Sequence, residues 1–153
     1  DVCSSDLLIK ADEELKQTYE LITTVPGIGM QNALCLLIFT NNFKRFNLNP
    51  RKIACYYGVA PFGKDSGTSV HADPHVHYMA NKMLKSMLTQ AALASVNFCP
   101  LIKDYYNRLI NRGKKKQVVL NNVKNKLIHI ITAMVKNNQP FNPEYINIHK
   151  TAA

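Results

Sequence analysis

Two long stretches in the C-terminal half repeat apolar or small residues at helical spacing, and they constrain the fold most. Between residues 81 and 98 the repeating residues are Met83, Leu84, Met87, Leu88, Ala91, Ala92 and Ser95. Between residues 119 and 137 they are Val119, Leu120, Val123, Leu127, Ile130, Ile131, Met134 and Val135. This spacing is typical of helices with one buried face. The chain is therefore predicted to be all-α, with these two helices forming much of the core of a small bundle.

Four shorter stretches bring the predicted total to about six helices. They lie at residues 8–23, 30–39, 50–57 and 100–112. The first has acids at positions 12, 13 and 14, where the helix dipole favours negative charge. Asn49 and Pro50 are typical of a helix start, and Gly58 and Gly113 of helix ends.

The size of the chain fits one domain, because 153 residues can bury a substantial core. Apolar residues make up 46%, which excludes an intrinsically disordered chain. No apolar run reaches the roughly 18 residues of a membrane span, and no signal-peptide pattern stands at the N-terminus. We expect a cytoplasmic protein that does not bind membranes.

Positive charge is concentrated after the first twenty residues. The net charge is +9, and from Leu21 onward 17 lysines and arginines stand against 4 acids. Such a surplus suits a polyanion, because neutralising phosphates releases counterions and favours binding. An acidic protein surface or a membrane could use the same field, so the charge alone leaves the partner open.

Three regions are expected along the chain. Residues 1–20 would be an N-terminal helix belonging to a truncated upstream region, since there is no initiator methionine and Asp1–Leu7 resembles translated sequencing adaptor. Residues 21–138 would be the main domain. Residues 139–153, with Pro140 and Pro143, would be an extended tail.

The segment Val25-Pro-Gly-Ile-Gly29 predicts a helix-hairpin-helix turn. Gly27 and Gly29 would let the backbone approach a DNA phosphate, and the following helix would offer its N-terminus to the anion. A plain helical hairpin needs small residues at its bend for the same geometric reason. Both interpretations stay open on the sequence alone.

The stretch from Tyr56 to Ser69 is predicted to leave a helix and present a polar loop. Its candidate functional residues are Lys64, Ser66, Gly67 and Thr68. A serine beside a glycine, with a lysine nearby, could attack a phosphate. The competing interpretation is a solvated turn, because Gly, Asp and Ser favour turns for conformational reasons.

Further basic residues are candidates for phosphate contact. They are Lys82 and Lys85 on the outer side of the helix at 81–98, and the dense cluster Arg112, Lys114, Lys115 and Lys116. A charge run is usually a solvated surface. Cations at a helix start, however, oppose the dipole, which favours a phosphate-facing role for this cluster.

A metal site is considered and not predicted. His71, Asp73, His75 and His77 are close in sequence, but they lack a second group of ligands, and the four cysteines show no paired spacing. A polar loop is the simpler interpretation. Whether His71, His75 and His77 have a role is left open.

The ordered series Val-Pro-Gly-Ile-Gly, Tyr-Gly-Val-Ala-Pro, Ser-Gly-Thr-Ser and Tyr-Tyr-x-Arg-Leu resembles one family. It is similar to the C-terminal transposase domain of bacterial insertion-sequence recombinases guided by a bridge RNA. The resemblance covers about residues 21–145. It implies that Ser66 is the nucleophile that attacks DNA, and that Mg²⁺ is bound by an N-terminal nuclease-like domain rather than here. It also implies a guide RNA and a homo-oligomer.

Two departures from the family pattern qualify the resemblance. Histidines replace the expected lysine or arginine around residues 71–77, and Ala80 stands where glycine is expected. The expected function is a DNA transposase fragment that is inactive alone. The alternatives are a non-catalytic helix-hairpin-helix module that holds DNA, and an RNA-binding scaffold.

Overall fold

Buried apolar faces of six α-helices meet in a single core in the part of the chain that the computed structural model describes. That part comprises residues 12–60 and 82–144, together with the backbone of 62–66 and 70–75. The helices are α1 (Glu13–Thr23), α2 (Met30–Thr40), α3 (Pro50–Tyr56), α4 (Lys82–Phe98), α5 (Pro100–Asn111) and α6 (Lys116–Asn137). A 3-10 helix (Lys44–Phe46) lies between α2 and α3.

The helix starts follow the capping residues in the sequence. The Asp12 carboxylate accepts a hydrogen bond of 3.0 Å from the backbone N–H of Glu14, and two glutamates occupy the first turn of α1. The Asn49 side chain accepts from the N–H of Arg51 at 3.0 Å, ahead of Pro50. The prediction of an all-α fold with about six helices is confirmed for the helices. Capping side chains and first-turn acids within each segment account for where these helices begin.

Helix α6 lies at the centre of the core, against α1, α3, α4 and α5. Its buried positions include Val119, Val123, Leu127, Ile128 and Ile131, all at most 1% exposed. The facing side of α4 buries Leu84, Leu88, Ala91, Ala92 and Ser95 as predicted. Met83 was assigned to that face and is instead 53% exposed, since it lies about 100° around the helix from Leu84.

The segment predicted as a Ser-Gly loop contains a β-hairpin. Strand β1 (Phe62–Ser66) pairs antiparallel with β2 (Val70–His75), and Ser66 lies opposite Val70. The register shifts between Phe62 and Lys64, where β2 contributes one extra residue. That shift suits Pro74, which has no N–H for the ladder. Glycine, aspartate and lysine in β1 give little strand signal, so pairing rather than propensity determines these strands.

The connection between α2 and α3 has an unusual backbone. Five of its residues have positive φ angles: Asn41, Asn42, Phe43, Asn47 and Leu48. Phe43 is only 1% exposed, and its N–H donates to the Thr40 hydroxyl at 2.9 Å. Phe43 and Phe46 both pack on the core and so anchor this connection.

The chain returns to the start of the bundle after α6. Phe141 packs against the core, and its N–H donates to the Thr24 hydroxyl at 3.0 Å, next to the end of α1. None of the described helices is both long and apolar enough to cross a membrane.

Candidate nucleic-acid interface

The turn between α1 and α2 is pressed against α4. Gly27 has φ +93°, and a Cβ at this position would lie 2.6 Å from Ser95 Oγ and 2.7 Å from Ser95 Cα. The Ser95 hydroxyl also donates to the Pro26 carbonyl at 2.8 Å. The direction in which a side chain would leave Gly27 therefore points at α4. Only glycine fits there without disturbing the packing of the bundle.

Gly29, two residues later, lies in a different environment. It is the N-cap of α2, it is exposed, and no atom lies within 4 Å of where its Cβ would be. No side chain caps the helix, and its first turn carries no acid. The first amides of α2 therefore point to an open surface, an arrangement that can bind an anion.

The hairpin determines the positions of two more candidates. Lys64 lies in β1 opposite Ala72, and Ser66 is the last residue of that strand. Ser66 thus borders the connection 67–69, which contains the candidates Gly67 and Thr68 and lies outside the described residues. His71 and His75 are in β2, while His77 lies outside the described residues.

The segment that leads into the hairpin is held by α6. The side-chain amide of Asn121 on α6 donates to the Val59 carbonyl at 2.7 Å, and Val59 is completely buried. Lys82 and Lys85 lie in the first turns of α4, the next described helix after β2. Lys82 is exposed and Lys85 is half-buried.

The predicted cluster of four basic residues lies on the turn between α5 and α6. Arg112, Lys114, Lys115 and Lys116 are all exposed. Gly113 has φ +78° and open space where its Cβ would be. Lys115 is the N-cap of α6, and no side chain caps this helix. The cluster makes no ion pair within the described part of the chain.

Another basic group was missed by the sequence analysis. The Arg45 guanidinium lies 5.0 Å from the ring centre of Tyr56 and 5.6 Å from that of Phe46. Arg51 and Lys52 are exposed on the first turn of α3. Lys44 is different, because its ammonium is 2.8 Å from the Glu14 carboxylate, whose hydrogen bond and charge raise the pKa of this lysine. The sequence shows these cations, but nothing in it shows which are neutralised.

A buried lysine was also missed. Lys124 on α6 is 6% exposed, and its ammonium donates to the Thr89 hydroxyl on α4 at 3.3 Å. Burial, and secondarily the charge of Lys85, lowers the pKa of Lys124. The helical spacing could have predicted this burial, because Lys124 lies on the same face of α6 as the buried residues Val123 and Leu127.

The described side chains contain no group of three histidines, cysteines or acids placed to hold a metal ion. The nearest sequence candidates, around residues 71–77, are outside this set.

Comparison with known proteins identifies the chain's relatives. It is 30% identical over 135 residues to the pilin gene-inverting proteins of Moraxella lacunata and Moraxella bovis, covering 88% of this chain and 42% of each relative. It is 32% identical over 116 residues to the insertion element IS110 uncharacterized 43.6 kDa protein of Streptomyces coelicolor, covering 76% of this chain and 28% of that protein. The chain thus spans less than half the length of these relatives.

A family comparison gives the same result independently. The sequence pattern of the Transposase IS116/IS110/IS902 family matches residues 19–107, which include the end of α1, all of α2 to α4, the hairpin and most of α5. The match covers more than half of the 153 residues. The chain therefore belongs to the IS116/IS110/IS902 transposase family.

Proposed function

We propose that this chain is the part of a DNA transposase that binds DNA and supplies Ser66 as the nucleophile for strand transfer. The observation that carries the DNA-binding part is the separation of charge. The described ion pairs involve Glu13 and Glu14 on α1, whereas the basic turn between α5 and α6 has no such neutralisation. An exposed, unneutralised cation cluster favours phosphate binding.

The proposed interface combines this turn with two other elements. The open N-terminus of α2 at Gly29 would bind one phosphate through backbone amides. Lys82 and Lys85, at the start of α4, would contact the DNA backbone. Lys64, two residues before Ser66 in β1, would contact the DNA nearer to the reacting phosphate. Gly27 would act indirectly, by holding the turn that presents Gly29.

The proposed chemistry is covalent phosphoryl transfer. The Ser66 oxygen would form a bond to a DNA phosphorus while the bond from that phosphorus to one DNA oxygen breaks, and the serine proton would finally reside on the leaving oxygen. The phosphoserine would preserve the phosphoester for rejoining. Position supports this role, because Ser66 ends β1 beside a connection that begins with Gly67.

Other parts of the protein would complete the reaction. The described side chains form no group of three potential metal ligands, and we propose that Mg²⁺ is bound by another region of the full-length protein. A guide RNA and a homo-oligomer belong to the same proposal for the full-length protein. The competing function, a DNA-binding module without chemistry, shares the basic surface and differs only in having no need for the Ser66 hydroxyl.

The test is Ser66→Ala in the full-length protein that contains this chain. We expect loss of the covalent protein–DNA adduct on denaturing gels, with binding to the same DNA changed less than about threefold, because only a hydroxyl is removed. Ser69→Ala is the matched control and should retain the adduct. An adduct that persists in Ser66→Ala would favour the non-catalytic module or another nucleophile.

A further inference from the structure

Lys124 is in an environment that a lysine rarely occupies without a counter-charge. Its side chain is 94% buried between α6 and α4, since only 6% is exposed. Its one described partner is the Thr89 hydroxyl at 3.3 Å. That hydroxyl donates its own proton to the Lys85 carbonyl at 2.7 Å, so it can only accept from Lys124. An ammonium has three donors, and no described group accepts from the other two.

The second unfavourable feature is a like charge. Lys85 and Thr89 are four residues apart on α4, so both lie on the helix face that Lys124 meets. The charge of Lys85 opposes that of Lys124, and no carboxylate among the described residues offsets either. Burial of an unpaired cation costs several kcal/mol unless it loses its proton or gains an anion.

The location of this pair suggests which anion would bind. Asn121, one helical turn before Lys124, donates to Val59 at the segment that leads into β1. Lys85 lies one turn inside α4, the next described helix after β2. Lys124 therefore lies one helical turn from the contact that holds the segment leading into β1, the strand that ends at Ser66.

We propose that Lys124 and Lys85 form a phosphate site beside the segment that leads into the hairpin, with the Thr89 hydroxyl orienting the Lys124 ammonium. Its ligand is a phosphodiester of the nucleic-acid strand on which the hairpin acts. A phosphate there supplies acceptors for the two remaining protons of Lys124 and separates the two like charges. These are positioning residues, because they would hold the strand beside the hairpin and make no bond to the reacting atoms.

This site rests on the proposed DNA binding, but it can be tested apart from it. The variant is Lys124→Met, which keeps the buried stem and removes the charge. The control is Lys136→Met on the same helix, an exposed lysine about 18 Å further along the axis at 1.5 Å per residue. In chloride buffer, we expect Lys124→Met to melt about 2–4 °C higher than wild type, because a buried unpaired charge has been removed.

The first ligand probe is inorganic phosphate, compared with chloride at equal ionic strength. Phosphate stabilises many proteins by exclusion from their surface, and Lys136→Met measures that general effect. Wild type and Lys136→Met should gain more in melting temperature than Lys124→Met. Equal gains in all three proteins, or a lower melting temperature for Lys124→Met in chloride, would overturn the proposed site. Failure of Lys124→Met to fold would overturn it equally.

The second probe is duplex DNA, measured by fluorescence anisotropy over a salt series. We expect Lys124→Met to bind about tenfold more weakly and to lower the slope of log affinity against log salt by about 0.9, as for one lost phosphate contact. If wild type binds DNA and Lys124→Met binds it with the same affinity and the same salt slope, the site is refuted and the proposed function is left intact. No wild-type binding would refute the proposed function, while the phosphate response still decides the site.

Discussion

Two glycine turns join helices in this fold, and they illustrate opposite uses of the same residue. Gly27 and Gly113 both have positive φ angles, +93° and +78°. At Gly27, Ser95 occupies the space that a side chain would need. At Gly113, no atom of another part of the chain lies within 4 Å of where a Cβ would be. The first turn is part of the core, and the second carries four exposed cations.

The comparison shows that a glycine motif by itself does not identify a DNA contact. The sequence pattern at residues 25–29 leaves open, for both glycines, a phosphate contact or the bend of a plain helical hairpin. In the structure, only Gly29 is open to solvent, and Gly27 packs against α4. The turn with Gly113 is a Schellman helix end, in which the N–H groups of Gly113 and Lys114 donate to the carbonyls of Ile110 and Leu109, and it combines an exposed backbone with positive charge. Accessibility and charge together separate the two turns better than glycine spacing.

The largest expected effect is that of Gly27→Ala. The added Cβ meets the backbone of α4 and is held at a left-handed φ, so we expect about 3 kcal/mol of destabilisation, from roughly 1–2 for strain and 1–3 for overpacking. Urea unfolding measures this. Gly29→Ala is the matched control and should cost at most about 1 kcal/mol, because space is free and only the N-cap changes. Equal costs would remove the distinction between the two glycines.

A second prediction concerns the charges of the open turn. Replacing Lys114, Lys115 and Lys116 by glutamine should weaken binding to duplex DNA by roughly tenfold to hundredfold and lower the salt slope by up to about 2.7. Folding stability should stay the same or rise by about 0.5 kcal/mol, since cations near the start of α6 oppose its dipole.

The control for this variant is Lys103→Gln, an exposed lysine on α5 outside the proposed interface. It should leave the salt slope nearly unchanged. If the triple variant and Lys103→Gln have the same affinity and slope, the basic turn is not a DNA contact.

The smallest expected effect is that of Gly113→Ala. Because no atom is near, the cost is the left-handed strain alone, about 1 kcal/mol in urea unfolding. Affinity for DNA should stay within about twofold, since the four cations remain. A cost as large as that of Gly27→Ala would mean that this turn is also part of the packed core.

Most of the helical fold could be predicted, because its signals are local. Asn49 and Pro50 specify the start of α3, and the buried positions of α4 and α6 follow the helical period. The start of α1 was predicted at residue 8, whereas Asp12 is extended and caps a helix that begins at Glu13. The hairpin could not be predicted in the same way. Its strands contain Gly63, Asp65 and Pro74, which disfavour strands individually, and only their pairing makes the structure.

The candidate site was less predictable than the fold, because charge in a sequence does not reveal its surroundings. Lys44 is neutralised by a glutamate thirty residues earlier in the chain, and Arg45 next to it lies over two rings. Lys124 follows the apolar pattern and is buried despite its charge. These contacts join distant parts of the chain. The roles of Ser66 and of its neighbours remain predictions from family resemblance and position.

The left-handed connection between α2 and α3 has a consequence for the order of folding. Phe43 and Leu48 adopt a conformation that costs roughly 1–2 kcal/mol each for a residue with a side chain, so the isolated segment would not form it. Burial of Phe43 compensates for that cost only after the helices that form the core have assembled. We therefore expect this connection to be absent from the transition state for folding. Phe43→Leu should accelerate unfolding and leave the folding rate nearly unchanged, giving a φ-value near zero.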